Sequence, residues 1–157
     1  MTSTTITSPT SPTSTETLEH DVPETPADGV AVPESFADEF GDPARYDLEY
    51  GTAGLDIPFY VALAEQTEGP VLDVATGTGR IALALAEAGH EVTAVDMSAA
   101  MVEFAVTKDA DETVTWVEQD ARELKVRGKF GLALLAGNAL QQFLTNEDRT
   151  DVLKAIY

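Results

Sequence analysis

The residues best suited to chemistry sit together at one break in the chain. An apolar run ending at Val74 contains an acid, Asp73, and then gives way to Ala75-Thr76-Gly77-Thr78-Gly79-Arg80, after which an alanine- and leucine-rich stretch begins. Glycines at 77 and 79 let the backbone bend sharply and approach a ligand where a Cβ would intrude. A helix starting behind them would aim its first unpaired N–H groups at the same place. This is the build of a nucleotide-cofactor loop. Asp73 adds a condition, because a carboxylate there would repel a pyrophosphate but would suit a ligand carrying positive charge. Taken alone, Gly77-x-Gly79-x-x-Ala82 matches the dinucleotide fingerprint, which many α/β proteins satisfy by accident, the glycines then doing no more than shaping a tight turn.

Two further acids strengthen the signal. Asp73 closes one apolar run, Asp96 closes the next and Asp120 follows the third, so on a parallel sheet all three would face a single crevice at its carboxyl edge. Each has a plainer reading. Asp96 could lead into a helix capped by Ser98, and Asp120 with Glu123 resembles a capping box on a short turn. Asp73 is harder to explain in that way, since an acid at the buried end of an apolar strand costs stability unless it is hydrogen-bonded or paired.

The elements that must position these acids alternate between two periods. Residues 71–75, 91–95, 114–118 and 130–136 read as strands, the last apolar on both faces as in a buried parallel strand. Residues 80–88, closed by Gly89, and 99–107, with Ser98 as N-cap, read as helices, and Thr145 with Asp148 forms a capping-box pattern opening a helix that runs to Tyr157. Alternation of this kind predicts a doubly wound α/β fold with a mainly parallel sheet and right-handed crossovers. The fourth strand would be at an edge, where Phe130, Leu132, Leu134 and Leu135 call for cover, from a second copy in a homodimer or from chain beyond Tyr157.

Upstream, the pattern changes. Twelve of the first seventeen residues are Ser or Thr, and prolines at 9, 12, 23, 26 and 33 accompany them without apolar periodicity, so residues 1–33 are expected to form a disordered acidic tail. Residues 34–68 form a helical cap segment in this reading. Phe36, Phe40, Tyr46 and Tyr50 return at helix-like spacing, and 57–65 reads as a helix carrying Pro58 in its first turn.

With 157 residues and 43% hydrophobic content the chain fits one domain. Its net charge of -19, with nine Lys and Arg spread without a cluster, excludes a phosphate-backbone partner, so no nucleic acid is expected. Such an excess of acid means either a disordered acidic segment or adaptation to high salt, where screening is strong. The scatter of Asp and Glu through the folded part favours the second, a halophilic protein. No cysteine is present for a disulfide or thiolate site, and His20 and His90 are too far apart to suggest zinc. No apolar run reaches the ~18 residues of a membrane span, and the start has neither a basic end nor an apolar core, so no membrane partner and a cytoplasmic location are expected.

Over roughly residues 45–157 the chain resembles the class I S-adenosylmethionine-dependent methyltransferases. The match is specific in combination: 71–80 looks like the first motif, Val95-Asp96-Met97-Ser98 resembles the second-strand acidic motif, Glu118-Gln119-Asp120-Ala121 the third, and Leu135-Ala136-Gly137-Asn138-Ala139-Leu140 the segment after the fourth strand. The resemblance implies a Rossmann-like sheet over 69–157 and S-adenosyl-L-methionine as cofactor. Asp73 with Ala75, Thr76, Gly77, Thr78 and Gly79 would hold the methionine part, Asp73 near its ammonium group. Asp96 would accept both ribose hydroxyls, Met97 would pack on the adenine face, Asp120 would take the adenine amino group and the Ala121 amide would lie near the ring. Ala136 and Asn138 complete the cofactor set, and Tyr46-Asp47-Leu48-Glu49-Tyr50 resembles a segment that folds over the cofactor in small-molecule members, a plain aromatic core role being the alternative.

Two departures from the family pattern stand out. Its first glycine is Ala75 here, tolerable if φ is negative. The family sheet has seven strands, and the fifth to seventh, which wall the substrate pocket, have no counterpart before Tyr157. Methyl transfer from a sulfonium needs alignment more than covalent help, and no general base stands out, so no catalytic residue is assigned. Asn138, Gln141 and Gln142 could line the acceptor side or merely cap a helix. Asn138 lacks the Pro-Pro-aromatic sequel of enzymes that methylate nucleic-acid amino groups, which favours a small-molecule methyl acceptor. The rival readings are a nicotinamide-dependent oxidoreductase on the same loop, against which Asp73 argues, and a non-catalytic cofactor-binding fragment.

Overall fold

The structure, a computed structural model, describes residues 41–51 and 54–157. The expected tail at 1–33, and Phe36 and Phe40 of the aromatic series, lie outside the described residues. Four parallel strands form one sheet: β1 (Val71–Val74), β2 (Val92–Asp96), β3 (Val114–Glu118) and β4 (Leu132–Leu134). Their order is β3-β2-β1-β4, with a crossover between β3 and β4. That crossover places β1, and the loop behind it, at the point where the strand order reverses. In open α/β sheets ligands bind at the carboxyl ends of the strands at this point.

Ahead of the sheet come a four-residue helix α1 (Pro43–Tyr46), a π-turn (Asp47–Gly51) and α2 (Ile57–Ala64). Asp42 caps α1 by accepting from the Ala44 and Arg45 amides, and Pro43 fills the first helical position, where the missing N–H is not needed. Between the strands lie α3 (Arg80–Glu87) and α4 (Ala99–Lys108). Ser98 caps α4 as the sequence predicts, its hydroxyl accepting from the Met101 amide. After β4 follow a one-turn α5 (Ala139–Gln142) and α6 (Asn146–Ile156). The predicted capping box is present: the Thr145 hydroxyl accepts from the Asp148 amide at 3.0 Å and donates to the Asp148 carboxylate at 2.7 Å.

The core has two parts, one on each face of the sheet. Val71, Val92, Ala94, Val114 and Leu134 meet Ile81, Ala82 and Leu85 of α3 and Ala64 of α2. On the other face Leu72, Val74 and Val95 meet Ala121 and Val152 of α6. The alternation of side chains along a strand explains the division, and it decides where the acids point. In register, Asp73 lies beside Ala94, and Asp96 follows Ala94 by two residues, so both acids belong to the face covered by α3.

The fourth strand departs from expectation in length. Residues 130–136 read as one buried strand, yet only Leu132–Leu134 pair with β1, and of these Leu134 is buried, Leu132 half-buried and Ala133 exposed. The ends are set by the backbone. The Gly131 amide is drawn to the Pro70 carbonyl, and after Leu135 the chain turns so that the Ala139 amide reaches the Ala136 carbonyl. Phe130 and Leu135 pack on the second core cluster from outside the strand. As predicted, β4 is an edge strand.

Candidate cofactor site at the carboxyl edge of the sheet

The glycine loop connects β1 to α3 and is bent by three consecutive alternate positions with positive φ: Ala75 at 56°, Gly77 at 58° and Gly79 at 76°. The first of these corrects the sequence reading, which tolerated alanine at 75 on the condition that φ be negative. Ala75 occupies the left-handed region, where its Cβ crowds the following carbonyl at a cost of about 1–2 kcal/mol. The two glycines serve different needs. A Cβ on Gly77 would only touch the Tyr46 ring, at 3.5 Å from Cε1, whereas one on Gly79 would run into the Trp116 ring and lie 3.2 Å from the Ala105 Cβ. Gly79 is therefore required by packing beneath the loop as well as by its torsion.

Below the loop, Asp73 is 2% exposed. Burial pushes its carboxyl up to about 6, against a partial opposing effect of the Thr76 hydroxyl, which donates to Oδ2 at 2.7 Å, and of the Arg80 charge. The neighbouring Asp96 charge adds to the rise. Asp96 ends β2 and holds the loop from the side: the Gly77 amide donates to its Oδ2 at 2.8 Å and the Ser98 amide to its Oδ1 at 2.9 Å. A carboxylate oxygen has two lone pairs, so after these two bonds each oxygen retains one acceptor position. The plain reading of Asp96, as the residue leading into the helix that Ser98 caps, thus holds together with one acceptor position left on each oxygen.

A small cleft beside the loop is lined by Asp73, Ala75, Thr76, Thr78 and Ala136 from the predicted set, together with Tyr46, Gly51, Arg80, Ile81 and Gly137. Met97 stands next to Asp96 and is 65% exposed. Asn138 is exposed at the N-cap position of α5, but its side chain makes no capping bond. Asp120 is engaged by Arg122, whose backbone amide and guanidinium both donate to it, and Arg122 reaches on to Asp148 of α6 at 2.8 Å. The guanidinium bonds hold the Asp120 carboxyl below its ordinary range. Ala121 buries its side chain in the core on the opposite face, leaving only its backbone to face a ligand.

The methyltransferase domain family matches residues 71–157, from the first residue of β1 through α6. This chain belongs to that family. YqeM of Bacillus subtilis (strain 168) is 34% identical over 92 residues, covering 57% of this chain and 37% of its own length. The glycine/sarcosine N-methyltransferase of Aphanothece halophytica is 32% identical over 103 residues, covering 63% of this chain and 39% of its own. Among solved structures, the glycopeptide N-methyltransferase MtfA, complexed with (S)-adenosyl-L-methionine, is similar with a TM-score of 0.58 at 23% identity, over 64% of this chain and 43% of that one. That likeness establishes the fold. The chain spans between 35% and 39% of the length of the curated relatives it matches.

In this methyltransferase domain the cap segment does more than cover a core. The Asp47 carboxylate accepts from the Thr78 hydroxyl at 2.7 Å and from the Lys108 ammonium at 2.8 Å, so one acid ties the π-turn to the loop and to α4. Burial works to raise its carboxyl, but those two bonds and the Lys108 charge prevail and lower it. Asp56, just before α2, takes Arg80 in a two-point pair at 2.6 and 2.8 Å. Sequence reasoning quoted Arg80 without assigning it a role. The available signal was its place as the first residue of α3, where the helix dipole disfavours a cation and an acid from elsewhere must offset it.

Proposed function

We propose that this chain binds S-adenosyl-L-methionine and serves methyl transfer to a small-molecule acceptor. The observation that carries the reading is the Asp96 carboxylate, which grips the loop through Gly77 and keeps one acceptor position on each oxygen. Two neighbouring hydroxyls of a ribose would use both. A buried Asp73 raised to about 6 suits a ligand ammonium, whose positive charge would favour its ionised form. The donor set therefore fits the cofactor at both ends. Ala75, Thr76, Gly77, Thr78 and Gly79 would supply the backbone floor under the methionine part, and Met97 an apolar surface for adenine. Asp120, steadied by Arg122, and the backbone of Ala121 would face its amino edge. Ala136 and Asn138 would close the side toward the acceptor.

When bound, the cofactor supplies an electrophilic methyl on sulfur whose leaving group is a neutral thioether. The work left to the chain is alignment and exclusion of water. Holding nucleophile and methyl in line supplies most of the acceleration in such a reaction, so no side chain here needs to form a bond to substrate. A small-molecule acceptor is supported by the Aphanothece halophytica relative, which is named for glycine and sarcosine. Acids spread over the whole sequence, with a net charge of -19, support work in the concentrated salt of a halophile's cytoplasm.

The test is a melting curve in molar potassium chloride. S-adenosylmethionine is expected to raise the melting temperature of the parent chain and to leave that of Asp96→Ala unchanged, because only ligands that bind the folded state shift the transition. An unshifted parent curve overturns the cofactor assignment, and a shift with NADH instead favours the oxidoreductase reading.

A further inference from the structure

The cap segment reaches the cleft through Tyr46, which lines it and lies against Gly77, where a Cβ would come within 3.5 Å of the ring. Little apolar burial holds that segment down. No residue of α1 or of the π-turn is buried, Leu48 is 80% exposed, and an open hollow of about 390 Å³ is lined by Ala44, Asp47 and Leu48 together with Phe104 of α4. A segment with so few buried contacts opens at low cost, so its polar bonds decide how often it does. We propose that Asp47 is a positioning residue whose clasp on Thr78 and Lys108 keeps Tyr46 over the cleft and thereby sets the rate at which the cofactor enters and leaves. The inference rests on the cofactor reading above and adds to it the control of access.

The clasp is prepared on both sides. Asp47 Oδ1 accepts from the Thr78 hydroxyl at 2.7 Å and from the Lys108 ammonium at 2.8 Å, so a single oxygen joins the cap to the glycine loop and to the last residue of α4. Thr78 is buried in the loop. Lys108 occupies a helix C-terminus, which favours a cation, and its ammonium lies 5.3 Å from the centroid of the Phe104 ring. Both partners are therefore held in place by contacts of their own. On the cap side, Gly51 lets the π-turn close tightly about the carboxylate, since a Cβ there would lie 2.9 Å from Asp47 Cγ. The Asp47–Lys108 pair is half-buried, and charge-assisted bonds so shielded are stronger than in open water. Because every group in the clasp belongs to the chain, loosening it would open the cap equally with and without ligand, raising entry and exit together.

The experiment is surface plasmon resonance of S-adenosylhomocysteine on the immobilised full chain, with Asp47→Asn and Lys108→Met as variants. Lys108 lies outside the cleft lining, so its effect on the ligand must pass through Asp47. Each variant is expected to raise the association and dissociation rates together by about 3- to 10-fold and to change Kd by less than about two-fold. Hydrogen exchange of the amides at 44–51 should quicken by a similar factor in both variants, while that of β1 stays unchanged and shows the fold intact. A Kd weakened through faster dissociation alone, unchanged rates, or unchanged exchange at 44–51 overturns the clasp and leaves the cofactor reading standing. Failure of the parent chain to bind overturns both.

Discussion

The Gly77 amide donates to the Asp96 carboxylate at 2.8 Å, joining the glycine loop after β1 to the last residue of β2. The two residues are nineteen apart in sequence, and the bond fixes the loop in the conformation that a cofactor would meet. The proposal that Asp96 also accepts from a ligand rests on the acceptor position this bond leaves on the same oxygen. One lone pair on Oδ2 holds the protein, and the other remains for a hydroxyl.

Asp73→Asn should stabilise the unliganded chain at pH 7. The folded carboxyl lies at about 6 and the ordinary value is 3.8, so between these pH values the folded chain keeps a proton that the unfolded chain has released. Stability therefore falls as pH rises through this window, by roughly 3 kcal/mol at most, and the loss is complete at pH 7. An amide has no charge to desolvate, and the Thr76 hydroxyl can donate to its oxygen. Urea melts at pH 5 and pH 7 should show the variant more stable by about 1–2 kcal/mol at pH 7 only, with S-adenosylmethionine binding lost. A variant less stable than the parent at pH 7 would contradict the assigned burial cost.

Ala75→Gly should also stabilise, for a backbone reason. Ala75 sits at φ 56°, where glycine carries no Cβ penalty. The gain should be about 1 kcal/mol, or a rise of several degrees in melting temperature, readable by calorimetry.

Gly79→Ala should cost much more than Gly77→Ala. Both positions lose a left-handed glycine, at about 1–2 kcal/mol, but only at 79 does the new methyl meet the Trp116 ring. We expect a total above about 3 kcal/mol at 79, with overpacking as the second contribution. Trp116→Leu in the Gly79→Ala background should recover part of it, and a double-mutant cycle on urea midpoints would measure the coupling. Additive effects would show that the ring does not set the limit.

Asp109→Ala should destabilise the chain by about 3 kcal/mol without touching the cleft. Its carboxylate accepts from the Thr113 amide and hydroxyl, the Val114 amide and the Trp116 Nε1, and so fastens the start of β3 and the ring beneath Gly79. Burial opposes its ionisation, but these bonds prevail and bring it down to about 2. Its stabilising contribution is present above the ordinary value of 3.8 and lost as pH falls toward 2, the opposite sense to Asp73. Acid titration of the parent against the variant should show the difference between them shrinking below pH 4.

Much of this fold could be read from the chain because the signals were local. Strand β3 falls where its alternating Val114-Thr115-Trp116-Val117-Glu118 run placed it, and Ser98 and Thr145 cap the helices they precede. The length of β4 could not be read in that way, since Phe130 and Leu135 are apolar for packing outside the strand, and periodicity does not separate the two uses. At the site, the acids were visible through their places at strand ends. The Arg80–Asp56 and Asp47–Lys108 pairs were not, because each joins residues far apart in sequence, and only the fold brings them within reach. The torsion of Ala75 was hidden for a different reason: side-chain type limits φ but does not fix it.

The central claim is that Asp96 both holds the loop and accepts from the cofactor. Titration of S-adenosylhomocysteine into the parent chain and into Asp96→Asn, in molar potassium chloride, tests it most directly, since Asn keeps the size of the side chain but presents one acceptor oxygen in place of two. The account predicts one site per parent chain and affinity lower by about 10- to 100-fold in the variant. Absence of binding by the parent, or equal affinity in both chains, would contradict it.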